Sequence, residues 1–202
     1  MNSEKPPKPA GRPRAFDTEK ALDHALKVFW RKGYEGTSLS DLTEAMDINR
    51  PSLYAAFGDK QALFHKVLER YSEGGRPFLA EALSQPTARA VVEKFLSSSI
   101  ALMTNPKNPP GCLSVQGALA CGEEATPIQQ ELISYRATTA EALRQRLKRA
   151  KAEGDLPPNA DPTALARYVA TVNEGLSVEA AGGATRKELH QIAAIALQAF
   201  PK

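Results

Sequence analysis

Apolar residues recur at helical spacing through most of the chain, and capping residues divide that pattern into segments. Leu22, Ala25, Leu26 and Phe29 form the first stripe, on a helix expected from Thr18 to Lys32 with Asp17 as its cap and Gly33 as its terminator. Ser38, with Asp41 three residues on, starts a short helix from Leu39 to Met46. Asn49 caps a second short helix ending at Phe57. Pro51 near its start is harmless, because the first backbone N–H groups of a helix have no intrahelical partner. Gly58 closes that helix and Asp59 opens a longer one carrying Leu63, Val67, Leu68 and Tyr71. Gly74, Gly75 and Pro77 then predict a break.

Beyond the break, Val92, Phe95, Leu96, Ser99, Ile100 and Met103 repeat at helical spacing, and the proline-rich stretch from Asn105 to Gly111 reads as a loop. A short helix is expected from Leu113 to Cys121, and a long one from Pro127 to about Glu153. Its basic residues Arg144, Arg146, Lys148, Arg149 and Lys151 read as a solvated helix end favoured by the dipole. After a loop at 154–161, Pro162 begins a helix with the stripe Leu165, Tyr168, Val169, Val172 and Leu176. Gly182 and Gly183 turn the chain into a last helix, Thr185 to Phe200. No strand pattern or repeat stands out, so the fold class is all-α.

Composition changes this picture little. The chain has 202 residues, 42% hydrophobic and 24% charged, which is ordinary for a globular protein of one or two small domains. Its net charge of +3 does not by itself argue for nucleic acid. The distribution is more telling. Residues 1–14 carry Lys5, Lys8, Arg12 and Arg14 among four prolines, the pattern of an extended basic arm rather than a signal peptide. No apolar run reaches the roughly 18 residues needed to span a bilayer, so no membrane partner and a cytoplasmic location are expected. Cys112 and Cys121 are too few for a disulfide framework and, if both lie on one helix, would stand about 13 Å apart on opposite faces. Motifs for hydrolases, phosphate loops and zinc proteases are absent, and His24, His65 and His190 lack ligand spacing. Neither an enzyme, nor a metal site, nor a cofactor is expected.

The two short capped helices between Thr37 and Lys60 make a poor core but a good groove reader. In a helix-turn-helix the first crosses the phosphate backbone and the second inserts its N-terminal residues into the major groove. Arg50 stands at the start of the second helix, suited to a guanine edge or a phosphate, and Ser52, Ala55 and Ala56 are small enough for close approach. Leu53 and Phe57, four apart, can face the core. The hydroxyl of Tyr54 suits a phosphate, and Thr37, Ser38 and Lys60 lie at helix entrances where hydroxyls and positive charge bind phosphates.

The ordered motifs A-L-x-V-F-x-x-K-G-Y-x-G-T-S, D-L-T-E-A-M, S-L-Y-A-A-F and D-K-x-A-L-F, spanning about sixty residues, resemble the DNA-binding domain of the TetR (tetracycline repressor) family. The resemblance implies that Arg50, Pro51, Ser52 and Ala55 face bases while Thr37, Ser38, Tyr54 and Lys60 anchor phosphates. Many relatives carry a bulky histidine or tryptophan at the position of Ala55, which leaves an apolar contact such as a thymine methyl. Arg12 and Arg14 look like a minor-groove arm.

The expected organisation is a basic arm at 1–14, an N-terminal three-helix helix-turn-helix domain at 15–72, and a C-terminal helical ligand-binding and dimerisation domain at 73–202. The expected partners are double-stranded operator DNA, a small-molecule effector and a second copy of the chain. The expected function is a repressor released by its effector. A redox-responsive regulator acting through Cys112 and a ligand-independent DNA-binding protein are the alternatives. An effector pocket implied by the resemblance would be lined by Met103, Cys112, Val115 and Tyr168. The run from Ile192 to Ala199 has seven apolar residues in eight and must be covered nearly all round. Leu189, Ile192, Ala193 and Ala196 are expected inward. Ile195 and Ala199, with Ile192 and the stripe of Leu165, Val169, Val172 and Leu176, are expected to form a four-helix dimer interface. Such a dimer would set two reading heads about 34 Å apart, matching successive major grooves.

Overall fold

The computed structural model describes residues 16–117 and 125–201, which form nine α-helices. The expected arm at 1–14, with Arg12 and Arg14, and Cys121 lie outside the described residues. The reading head comprises α1 (Thr18–Lys32), α2 (Leu39–Met46), α3 (Arg50–Phe57) and the first half of α4 (Lys60–Leu83). The remainder is α5 (Ala88–Met103), α6 (Leu113–Gln116), α7 (Thr126–Ala152), α8 (Pro162–Ala181) and α9 (Arg186–Gln198).

The head's boundaries follow from side-chain capping. The Asp17 carboxylate accepts from the Glu19 and Lys20 backbone N–H groups, and Ser38 and Asp41 form a reciprocal capping box. Asn49 accepts from Ser52 N–H at 2.8 Å, and Asp59 from Ala62 N–H at 2.8 Å. Two left-handed residues set the turns. Gly33 leaves α1 at φ 69°, and Asp47 ends α2 at φ 52°, a conformation that Asp adopts at less cost than most side chains.

Two apolar clusters hold the molecule together. One joins α1 to α4 with Leu113, Ile128 and Leu132, so the head's core extends into α6 and α7. The other packs α5, α8 and α9 on the ends of α4 and α7. Ion pairs stiffen the head: Arg70 on α4 holds Asp23 at 3.0 Å and Glu19 at 3.2 Å, and Lys32 on α1 meets Asp41 on α2 at 2.6 Å.

Four expectations need correction. The break at Gly74, Gly75 and Pro77 is not there. Helix α4 runs on to Leu83 with Pro77 inside it, supported along its length by α1, α5 and α7. The buried stripe of α1 is Ala21, Ala25, Val28, Phe29 and Trp30, with Leu22 and Leu26 only half-buried, because α1 packs against α2 and α4 together. Helix α6 ends at Gln116, well short of Cys121. Arg146 is not solvated: it is 5% exposed and donates to the carbonyls of Leu83, Gln85 and Pro86, closing the C-terminus of α4.

Candidate nucleic-acid interface and effector cavity

Helix α3 has two unlike faces. Leu53 and Phe57 are buried and fix it to the head, whereas Arg50, Pro51, Tyr54 and Ala55 are exposed and Ser52 is half-buried. The exposed set is the one expected to meet DNA, and α3 brings it onto one outward surface. The Arg50 guanidinium donates to Ser40 Oγ at 3.0 Å, so α2 already steers it. Ser38 is exposed at the start of α2. At the start of α4, half-buried Lys60 holds its ammonium 4.4 Å above the Tyr34 ring. Partial burial lowers its pKa, against the opposing effect of Glu35.

Thr37 departs from expectation. It is 0% exposed, and its hydroxyl donates to Gly33 O at 2.6 Å. Its N–H is also taken, by Tyr34 O at 3.3 Å. The side chain therefore locks the turn between α1 and α2 and does not present a hydroxyl to phosphate.

A cavity of about 610 Å³ lies behind the head. Leu26 and Trp30 of α1 form one side of it, and α4 from Arg70 to Leu79 forms another. Residues of α5, the 105–112 loop, α7 and Asn173 of α8 complete it. The glycines expected to break α4 supply open wall instead: a Cβ on Gly74 would meet nothing within 4 Å. Cys112 Sγ lies 3.0 Å from Tyr71 Oη and 3.1 Å from Ser114 Oγ. Burial pushes the Tyr71 phenol well up, and burial together with Cys112 pushes Tyr135 to about 12, so both remain protonated donors near neutral pH.

Of the four residues expected to line a pocket, Met103 and Cys112 do so. Val115 and Tyr168 do not. Val115 is buried away from the cavity, and Tyr168 donates to Ala196 O at 2.9 Å, tying α8 to α9. Sequence reasoning missed Trp30, Tyr71 and Tyr135. The first two sit on helices assigned to DNA binding, and helical periodicity alone does not separate a cavity wall from a core.

Two residues of the expected dimer stripe of α8 need correction. Val169 and Leu176 are buried within the protomer, and Leu165 and Val172 pack half-buried against the same core. Leu189 and Ala193 of α9 point inward as expected, but Ile192 points out. The exposed apolar surface at this end comprises Val178, Ile192, Ile195 and Ala199, with Ile195 66% exposed.

Among the described residues no helix is long and apolar enough to cross a membrane, and no group of three His, Cys, Asp or Glu side chains converges on a metal position.

Residues 21–67 match the profile of "Bacterial regulatory proteins, tetR family", and residues 86–195 that of "Tetracyclin repressor-like, C-terminal domain". The HTH-type transcriptional repressor ComR of Escherichia coli (strain K12) is 34% identical over 96% of this chain and 94% of its own. The HTH-type transcriptional repressor BdcR of the same organism is 30% identical over 99% and 97%. A solved cysteine-substituted variant of the TetR family regulator CifR, complexed with 26-base-pair double-strand operator DNA, superposes with a TM-score of 0.90. It is 41% identical and covers 94% of this chain and 100% of that one. These relatives are transcription regulators rather than enzymes, and their likeness spans both halves of the structure. The chain belongs to the TetR family of bacterial regulatory proteins.

Proposed function

We propose that this protein is a cytoplasmic, homodimeric repressor that reads operator DNA through α3 and is released when a small molecule fills the cavity behind the head. One observation carries the reading: α4, which packs on the reading helix, and α1, which packs on α2 and α4, also wall the cavity. In the reader, Arg50 serves a base edge or phosphate, Pro51, Ser52 and Ala55 approach bases, and Tyr54, Ser38 and Lys60 hold phosphates. Arg12 and Arg14 serve as the minor-groove arm. The exposed apolar surface of α8 and α9, with Ile195 at its centre, takes the second copy.

Release is a shift between two arrangements of the heads. A ligand moves that equilibrium only if it binds the DNA-incompetent arrangement more tightly. A molecule against Trp30 touches α1 and one against Arg70 to Leu79 touches α4, so occupancy bears on α4, which contacts α3, and on α1, which holds α2 and α4. The test is to select operator duplexes from random DNA, map them to the source genome, and add candidate metabolites to the complex. Ligand-dependent dissociation supports the reading; an operator complex indifferent to every molecule that occupies the cavity refutes release.

A redox reading has one observation in its favour, the placement of Cys112 Sγ on the cavity wall between two hydroxyls. Peroxide treatment followed by operator titration separates it: loss of affinity abolished by Cys112→Ser would support it.

A further inference from the structure

The hydrogen-bonding character of the cavity wall is lopsided. Trp30 is 5% exposed and lines the cavity, and its indole Nε1–H has no acceptor among the described residues. An indole nitrogen can only donate, and a buried donor left unpaired costs free energy until something accepts from it. Tyr135 also lines the cavity, packed like Trp30 against Tyr71, and makes no hydrogen bond among the described residues; its phenol is held in the protonated, donating form. Arg76 lies at the same end, close enough for its charge to act on Tyr135, and Gly75 leaves that hydroxyl uncovered. Arg76 makes only a long 3.5 Å contact with Ser72 Oγ and pairs with no carboxylate among the described residues. Against these three donors stands one orphan acceptor, Asn173 Oδ1.

Charge runs the same way. The described wall contains two arginines and no aspartate or glutamate. Arg70 is neutralised from outside by Glu19 and Asp23, whereas Arg76 is not. The rest of the wall mixes an apolar and aromatic surface, including Leu79, Phe95, Leu102 and Met103, with uncharged hydroxyl and amide side chains such as Ser98, Ser99, Thr138 and Asn173. A cavity of about 610 Å³ with such walls suits an apolar body with one polar head.

We propose that the cavity binds a carboxylate with an apolar body, the carboxylate taken by Arg76 and the Tyr135 hydroxyl and the body lying along the aromatic wall toward Trp30. Guanidinium and phenol donors match a carboxylate's paired oxygens, and charge-assisted hydrogen bonds are the stronger kind. An acceptor carried on the body satisfies the Trp30 N–H. A cation would have only the aromatic rings and neutral oxygens such as Asn173 Oδ1 to attract it, and would face Arg76 with no carboxylate on the described wall. This inference rests on the effector reading above, but its test distinguishes the two.

Trp30 is the single tryptophan of the chain, so its fluorescence reports occupancy without a label. The full-length protein is titrated with decanoate, decanol and decyltrimethylammonium at submicellar concentrations, by fluorescence and by calorimetry. These probes share a body and differ in charge. Decanoate is expected to bind at least tenfold more tightly than the ammonium. Arg76→Gln, at an exposed position where folding is not at stake, should weaken decanoate at least fivefold and leave decanol unchanged. Equal or tighter binding of the ammonium overturns the inference, as does no binding by any of the three or a decanoate affinity indifferent to Arg76→Gln. Each probe is then added to the complex with a selected operator duplex. Decanoate that binds through Arg76 yet leaves the duplex bound upholds the ligand class and refutes release. An ammonium that dissociates the duplex does the reverse.

Discussion

Arg50→Ala is the sharpest perturbation of the reading helix, and its size follows from what Arg50 does in the free protein. A bidentate contact to a base contributes about 1–3 kcal/mol of discrimination. The guanidinium is not idle beforehand, since it donates to Ser40 Oγ at 3.0 Å on an exposed surface. Giving up that bond offsets about 0.5 kcal/mol of the gain, the low end for a hydrogen bond already in water. The net loss from Arg50→Ala is then about 0.5–2.5 kcal/mol, or roughly 2- to 70-fold in operator affinity. Ser40→Ala frees the guanidinium at no cost to the fold, so it should leave operator affinity unchanged or raise it about twofold. Fluorescence anisotropy on a selected duplex and a scrambled one, at two salt concentrations, separates base reading from charge. A true base contact weakens the selected duplex far more than the scrambled one. Equal losses on both would reduce Arg50 to a phosphate contact, and no loss on either would refute the placement of α3 as the reader.

Three further outcomes are expected. Thr37→Val removes the buried hydroxyl bond to Gly33 O while keeping the shape, so chemical denaturation should show a loss of about 1–2 kcal/mol, with the operator affinity of the folded protein unchanged; a weakened operator complex at unchanged stability would restore Thr37 to the phosphate contacts. The Asp41 carboxyl is held down at about 2 from an ordinary 3.8, by Lys32 first and then by Ser38, so its contribution to stability is full above 3.8 and is lost as pH falls towards 2. Asp41→Asn should therefore flatten acid unfolding in that window, as followed by circular dichroism; an unchanged acid limb would contradict the role of the Lys32 pair. Ile195→Glu puts a charge at the centre of the exposed apolar surface of α9 and should give monomers by sedimentation with much weaker operator binding, whereas a dimer that survives it lies elsewhere.

The reading head was largely legible because each boundary has a local cause. Asp17, Ser38, Asn49 and Asp59 all cap the helices that their positions suggested. The misreadings share a different cause, since they depend on neighbours that no short window contains. Gly74, Gly75 and Pro77 look like a break until α4 is seen supported by α1, α5 and α7. Thr37 looks like a phosphate donor until its hydroxyl is found turned back on Gly33. The stripe of Val169 and Leu176 is apolar whether it faces a partner or its own core, and only packing against α5 and α9 decides for the core. The cavity was least legible, because Trp30 reaches it from a helix whose sequence speaks only of the head.

A repressor built this way should read DNA sequence rather than DNA charge. The most direct measurement is the affinity of the full-length protein for an operator duplex recovered by selection and for a scrambled duplex of equal length, across a salt series. The selected duplex is expected to bind at least about a thousandfold more tightly at physiological salt, with a comparable gap persisting as salt rises. Two duplexes that bind alike and weaken together with salt would contradict it.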